Sequence, residues 1–339
     1  MKKTLVALAA LTVVGAASAQ SSVTLYGRID ASLASMRTSN NGFVAGATVN
    51  PGAQIASGAH TGSRWGMRGS EDLGGGLKAN FQLENGFNVD TGAAAQGGLL
   101  FGRTAWVGLS GGFGELRLGR QYTPIDNSLG VYDAMGYSGY SSMGYAFSKG
   151  SYADRARENN SVYYKTPNMG GFSAGAMWAP GENKAAGVSA GRMVGLEANY
   201  MNGPLGLGGA WESAKATGAT PATTAWTLGA QYDLGVAKLF GQLEGSKNKV
   251  ANGKDNGWQL GAVIPLGAPS LMVSYARERA KIAGAKVSTA SSLSLMAQYP
   301  LSKRTYVYAA YLNGEIDPTA AGLATQKQRN YGLGLVHNF

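Results

Sequence analysis

The chain has 339 residues, with 29 lysines and arginines against 19 acids, a formal charge of +10 and no cysteine. Glycine occurs 52 times and tyrosine 17 times, while the 44% of hydrophobic residues is scattered singly rather than in blocks. This excludes a small disulfide-stapled domain and a cysteine-type zinc site, and two histidines leave little room for histidine chemistry.

The first residues read as a leader. Lys2 and Lys3 give a positive start, Thr4–Ala16 an apolar core, and Ala17-Ser18-Ala19 a small-x-small cleavage site. Residues 1–19 are therefore expected to be a secretory signal peptide, with the mature chain beginning at Gln20. A single membrane anchor is the alternative, but the apolar run is too short for one. Beyond it there is no run of about 18 apolar residues, so no transmembrane helix is expected.

From Ser22 onward, short runs alternate apolar and polar residues. In Ser22–Arg37, Val23, Leu25, Ile29 and Leu33 share one face, with Thr24, Tyr26, Arg28 and Asp30 on the other. Leu77–Phe87 sets Leu77, Ala79, Phe81 and Leu83 against Lys78, Asn80, Gln82 and Glu84. The pattern recurs in Ser63–Glu71, Ser161–Lys165, Phe172–Trp178, Met193–Tyr200, Leu205–Trp211 and Trp226–Asp233. It continues through Ala237–Gly245, Trp258–Ile264, Leu271–Arg279, Ser292–Tyr299, Tyr306–Leu312 and Asn330–Phe339. Period-two alternation predicts strands with one apolar and one wet face.

Two kinds of connection alternate along the chain. Seven are tight and rich in Gly, Pro, Asn and Asp, such as Glu71–Gly76, Met201–Pro204 and Pro265–Ser270. Between them lie longer polar insertions, such as Ala179–Ala190, Glu212–Ala225, Ser246–Asn256 and Gly314–Arg329. Seven turns at one end and eight loops at the other predict an all-β fold: a 16-stranded antiparallel transmembrane β-barrel over residues 20–339. The physical reason is that lipid offers the backbone no partners, so without apolar helices only a closed sheet can span it. Trp65, Phe81, Trp178, Tyr200, Trp211, Trp226, Tyr232, Trp258, Tyr275, Tyr299, Tyr306 and Tyr311 sit near run ends, where interfacial girdles are expected.

One stretch breaks the pattern. Gly119–Arg157 has no alternation but carries five tyrosines that matter here, Tyr122, Tyr132, Tyr137, Tyr140 and Tyr145, and two acids, Asp126 and Asp133. A loop this long without its own structure is usually functional. Residues 118–158 are expected to fold into the space the strands enclose, the tyrosines pinning them to the wall. The closing run NYGLGLVHNF puts Tyr331, Leu333, Leu335, His337 and Phe339 on one face.

These segments resemble the general diffusion porins of Gram-negative bacteria, in particular those of β-proteobacteria. The likeness rests on SSVTLYGRID (Ser21–Asp30), SRWGMRGSEDLGGGLKANFQLE (Ser63–Glu84), FGRTAWVGLSGGFGELRLGRQYTP (Phe101–Pro124), NNSVYYKTPNMGGFSAG (Asn159–Gly175), LSKRT (Leu301–Thr305) and the terminal GLVHNF. The resemblance implies a homotrimer in the outer membrane, in contact with its lipid and lipopolysaccharide, whose third external loop enters the lumen. It also implies a basic ladder facing acids on that loop, carried over here to Arg64, Arg103 and Arg157.

Read from the residues, polar-face cations cluster before the irregular stretch: Arg28, Arg64, Arg68, Arg103 and Arg120, with Asp126 and Asp133 able to face them. Arg103 poses a register problem, because alternation from Ala105, Val107 and Leu109 puts it on the apolar face. Either Thr104 and Trp106 face outward, or a bulge shifts the strand. Charge at a narrow point sets ion preference, so the expected function is passive diffusion of small hydrophilic solutes, with a preference for inorganic and organic anions. No GxSxG, GxxxxGK[ST] or HExxH motif occurs, and no enzyme activity, cofactor, metal or nucleic-acid partner is expected. An adhesin or structural barrel with a plugged lumen is the alternative.

Overall fold

A computed structural model describes residues 22–147, 156–181, 191–215, 222–249 and 251–339. The proposed leader, residues 1–19, lies outside them. The strands are β1 (Ser22–Ser39), β2 (Thr48–Val49), β3 (Ala53–Ser57), β4 (Arg64–Gly74), β5 (Leu77–Gly86), β6 (Thr104–Gly111), β7 (Gly114–Tyr122), β8 (Arg157–Lys165) and β9 (Phe172–Ala179). They continue with β10 (Met193–Asn202), β11 (Leu205–Ala214), β12 (Thr223–Asp233), β13 (Lys238–Asn248), β14 (Gly253–Pro265), β15 (Ser270–Ile282), β16 (Ala285–Pro300), β17 (Thr305–Pro318) and β18 (Gln326–Asn338).

Setting aside the two short strands β2 and β3, which lie beside the upper part of β1, sixteen antiparallel strands form the wall. It closes where β1 pairs with β18 along one edge and with β4 along the other. The expected barrel is therefore present, and closure joins the first and last strands of the wall, as a sheet in lipid requires. At the seam, Phe339 exchanges both backbone hydrogen bonds with Gly27. A Cβ on Gly27 would land in the Phe339 ring, so glycine is what lets the ring lie on the strand.

The apolar face points outward. Val23, Leu25, Leu260 and Leu333 are each more than 60% exposed, an arrangement no water-soluble sheet would keep. Trp178, Trp211, Trp226, Trp258 and Tyr275 lie on the same outer face. Tyr306 does not: it faces inward with Tyr308 against the His60 ring, so it belongs to no girdle.

Strands run further than alternation indicates at the end away from the chain termini. β16 begins at Ala285 rather than Ser292, and β13 and β14 run to Asn248 and from Gly253, leaving a short hairpin where alternation predicts a long insertion. There β15 and β16 turn on Ala283 and Gly284, with φ of 49° and 83°, the left-handed pair that a two-residue hairpin requires.

The connection between β7 and β8, of which residues 148–155 lie outside the described part, carries two one-turn helices, Pro124–Leu129 and Ser142–Phe147. Thr123 caps the first, its Oγ1 accepting from Asp126 N at 3.4 Å, and Glu212 Oε1 accepts from Ile125 N at 2.6 Å. These wall partners are polar-face residues. Tyr132 OH donates to Asn199 Oδ1 (2.9 Å), and the Ser142 and Ser274 hydroxyls are bonded at 2.8 Å. Ile125, Leu129, Met135, Met143 and Phe147 pack with small wall residues such as Ala210, Ala276 and Ala310 into the main buried cluster. Each such side chain stabilises the docking by roughly 1.5–3 kcal/mol.

Candidate functional site: an arginine-lined cavity

Between the wall and this connection lies a polar cavity of about 650 Å³, lined by Arg28, Arg64, Arg103, Arg157 and Asp126 among others. The four arginines come from four parts of the chain. Arg28 and Arg64 are direct register partners across β1 and β4. Arg157 opens β8, and Arg103 immediately precedes β6.

Two neutral hydroxyls hold them in pairs. Thr61 Oγ1 accepts from Arg28 Nη1 at 3.0 Å and from Arg64 Nη2 at 3.1 Å. Tyr122 OH accepts from Arg103 Nη2 and from Arg157 Nη2, each at 2.5 Å, and the Arg157 guanidinium lies 4.2 Å from its ring centroid. Among the described residues, Arg103 alone of the four has a carboxylate ion-pair partner, Glu84, at 2.6 Å. Opposed like charges such as Arg28 and Arg64 are unfavourable for a sheet, so this pairing does not serve the fold.

The Thr61 segment is itself fixed from below. The buried Asp30 carboxylate accepts from His60 N (2.9 Å), Thr61 N (2.6 Å) and Tyr308 OH (2.9 Å). His60 O in turn accepts from Gly139 N at 3.2 Å, which ties this segment to the β7–β8 connection. Burial, reinforced by Arg28, pushes the His60 imidazole down to about 4.

Arg103 resolves its register problem in a third way. Thr104 and Trp106 are buried and Val107 is exposed, so the outward-facing alternative fails, and the β5–β6 register runs unshifted from Glu84–Thr104 to Lys78–Ser110, so no bulge lies within β6. Arg103 stands ahead of the strand, where the chain is still bending and alternation does not bind it. Other expected site residues lie elsewhere. Arg68 sits on the same polar face toward the tight-turn end, over the Tyr26 ring at 5.2 Å. Arg120 follows Leu116 and Leu118 at even spacing, beside a register shift, and donates to Gly102 O (2.9 Å) and Asn159 Oδ1 (2.5 Å) rather than lining the cavity. Asp133 is buried as a turn cap, accepting from Met135 N (3.0 Å), Tyr137 N (2.9 Å) and Gln259 Nε2 (2.5 Å). Sequence reasoning missed Thr61, His60 and Asp30's anchoring role. The only trace of them is the small-residue run Thr61-Gly62-Ser63 ahead of Arg64.

A closed barrel that is apolar outside and lined by charge within defines a membrane channel of the outer-membrane type. Comparison with known proteins makes this specific. The sequence profile of the Gram-negative porins matches residues 4–319, and the chain belongs to that family. It is 44% identical to outer membrane porin protein 32 of Delftia acidovorans, over 70% of this chain and 68% of that one. It is 36% identical to an outer membrane porin of Bordetella pertussis, with the same coverage. Among solved structures it is similar to an anion-selective porin from Comamonas acidovorans, with TM-score 0.79 and 35% identity, over 94% of this chain and all of that one. It is an outer-membrane porin, a water-filled channel for passive diffusion of small hydrophilic solutes.

Proposed function

We propose that this porin prefers anions, and that the β7–β8 connection narrows its lumen at the arginine-lined cavity. The observation that carries this is the pairing of four guanidiniums on two uncharged hydroxyls. Among the described residues Arg28 and Arg64 have no carboxylate ion-pair partner, and low-dielectric walls focus their charge on the channel. The likeness to a solved porin described as anion-selective supports the same reading. The chain acts by diffusion alone, without covalent chemistry, and residues 1–19 direct its export and are removed.

The working unit is a homotrimer. The outward residues of β5–β7 (Leu77, Ala79, Phe81, Leu83, Ala105, Val107, Leu109, Leu116 and Leu118) include no tryptophan or tyrosine, unlike those of β9–β12. A membrane-facing surface without its interfacial belt suits cover by another copy. Native mass spectrometry in detergent reads this directly. The remaining outer face meets outer-membrane lipid, with lipopolysaccharide in the outer leaflet.

Ion preference is tested by reversal potential in a bilayer under a tenfold KCl gradient. The wild type should give the sign of chloride preference, and Arg28→Gln/Arg64→Gln should bring the potential close to zero. A cation-sign potential in the wild type would defeat the reading.

A further inference from the structure

On the outer face of β13–β16, at the edge away from the chain termini, lysines stand in register. Lys247 is opposite Lys254, Lys254 opposite Lys281, and Lys281 opposite Lys286. At about 4.8 Å per strand, this row presents four ammonium groups across about 14 Å. Below it on β15 follow Arg279 and Arg277, both exposed, with Arg277 opposite Trp258. The acids of this region, Asp255 and Glu278, occupy the alternate positions and are buried on the inner face. Among the described residues, none of the six cations forms an ion pair. Like charges opposed across neighbouring strands weaken a sheet, so folding does not explain the row.

Depth in the membrane identifies what meets it. Trp258 and Tyr275, with ring centroids 5.7 Å apart, belong to the outer aromatic belt, which sits at the bilayer interface. Lys254 lies four residues beyond Trp258 on the same face. With strands tilted about 45°, that is roughly 10 Å above the belt, in the headgroup layer. Lysines give compact charges and arginines planar forks, both suited to phosphate. We propose that the outer face of β13–β16 is a binding site for a phosphate-bearing glycolipid headgroup of the outer leaflet, its acyl chains lying against Leu243 and Leu260 below. This deepens the proposed contact with outer-leaflet lipid and is independent of the channel's ion preference.

The test uses the full-length refolded porin in detergent, with diphosphorylated lipid A and the same lipid stripped of phosphate as probes. Native mass spectrometry should show wild type retaining the diphosphorylated form at least tenfold better. The variant Lys247→Gln/Lys254→Gln/Lys281→Gln/Lys286→Gln should lose that preference while keeping wild-type conductance and reversal potential, which shows that the barrel is intact. Equal retention of both lipids by wild type, or an unchanged preference in the variant, would overturn the proposal. So would displacement of the lipid by millimolar inorganic phosphate, since the site would then read free anions. A failed anion preference in the channel, read separately as reversal potential, leaves the lipid result to stand or fall alone.

Discussion

Thr61 and Tyr122 each share one oxygen between two arginines, so single-atom changes should move charge in pairs. Hydrogen bonds to charged groups contribute about 1.5–3 kcal/mol each. Thr61→Val keeps the side-chain shape but removes the hydroxyl that joins Arg28 and Arg64, at 3.0 and 3.1 Å, leaving each a single anchor, Asn338 Oδ1 for Arg28 and Gly62 O for Arg64. The anion-to-cation permeability ratio should fall several-fold, and stability by no more than the few kcal/mol those two bonds contribute. An unchanged ratio would mean the arginines hold themselves. His60 behaves oppositely to a pH sensor. Its imidazole is pushed down to about 4, chiefly by burial and then by Arg28. The unfolded chain therefore takes up the proton first, and the histidine's contribution to stability is lost as pH falls from about 6.5 toward 4. Reversal potential should stay flat between pH 8 and 5. A step near 6.5 that vanishes in His60→Gln would contradict this placement.

At the scale of the element, the β7–β8 connection is held by rings set over glycines. Tyr132 covers Gly229, Tyr140 covers Gly332 and Tyr145 covers Gly314, and a Cβ at any of the three would collide with the ring above it. Gly314→Val should push Tyr145 off the wall and raise single-channel conductance with larger current noise. Tyr145→Ala should remove about 3 kcal/mol of packing and raise conductance without the collision. If neither variant changes conductance, the connection does not narrow the pore. Tyr132, Tyr140 and Tyr145 pin the connection as expected, whereas Tyr122 stands on β7 and holds two arginines instead; the notches are not legible, because each glycine lies on a strand far along the chain and looks like ordinary strand glycine. The two acids of the connection show the same limit. Asp126 and Asp133 look alike in sequence, yet one borders the cavity while the other caps a turn, a difference made by hydrogen-bond partners as distant as Gln259.

For the whole molecule, strand number is legible because turn chemistry marks each tight reversal, and the apolar period marks each lipid crossing. Strand ends are not, because β14–β16 continue beyond the lipid, where nothing requires outward residues to be apolar. Arg103 and Arg120 escape simple alternation for a related reason: both stand where the ladder starts or shifts. Gly27→Leu tests the closure. With the Phe339 ring displaced, the yield of folded, heat-resistant porin should drop well below that of wild type, as judged by shifted mobility on cold gels. The join between β1 and β18 has one further meaning. Every other joint in the wall links strands that follow one another along the chain, whereas Arg28 and Asn338, bonded across this one, are 310 positions apart. A contact that distant carries the largest entropic barrier, so the hoop is drawn shut last, and until then two raw margins stand open to whatever strand arrives first.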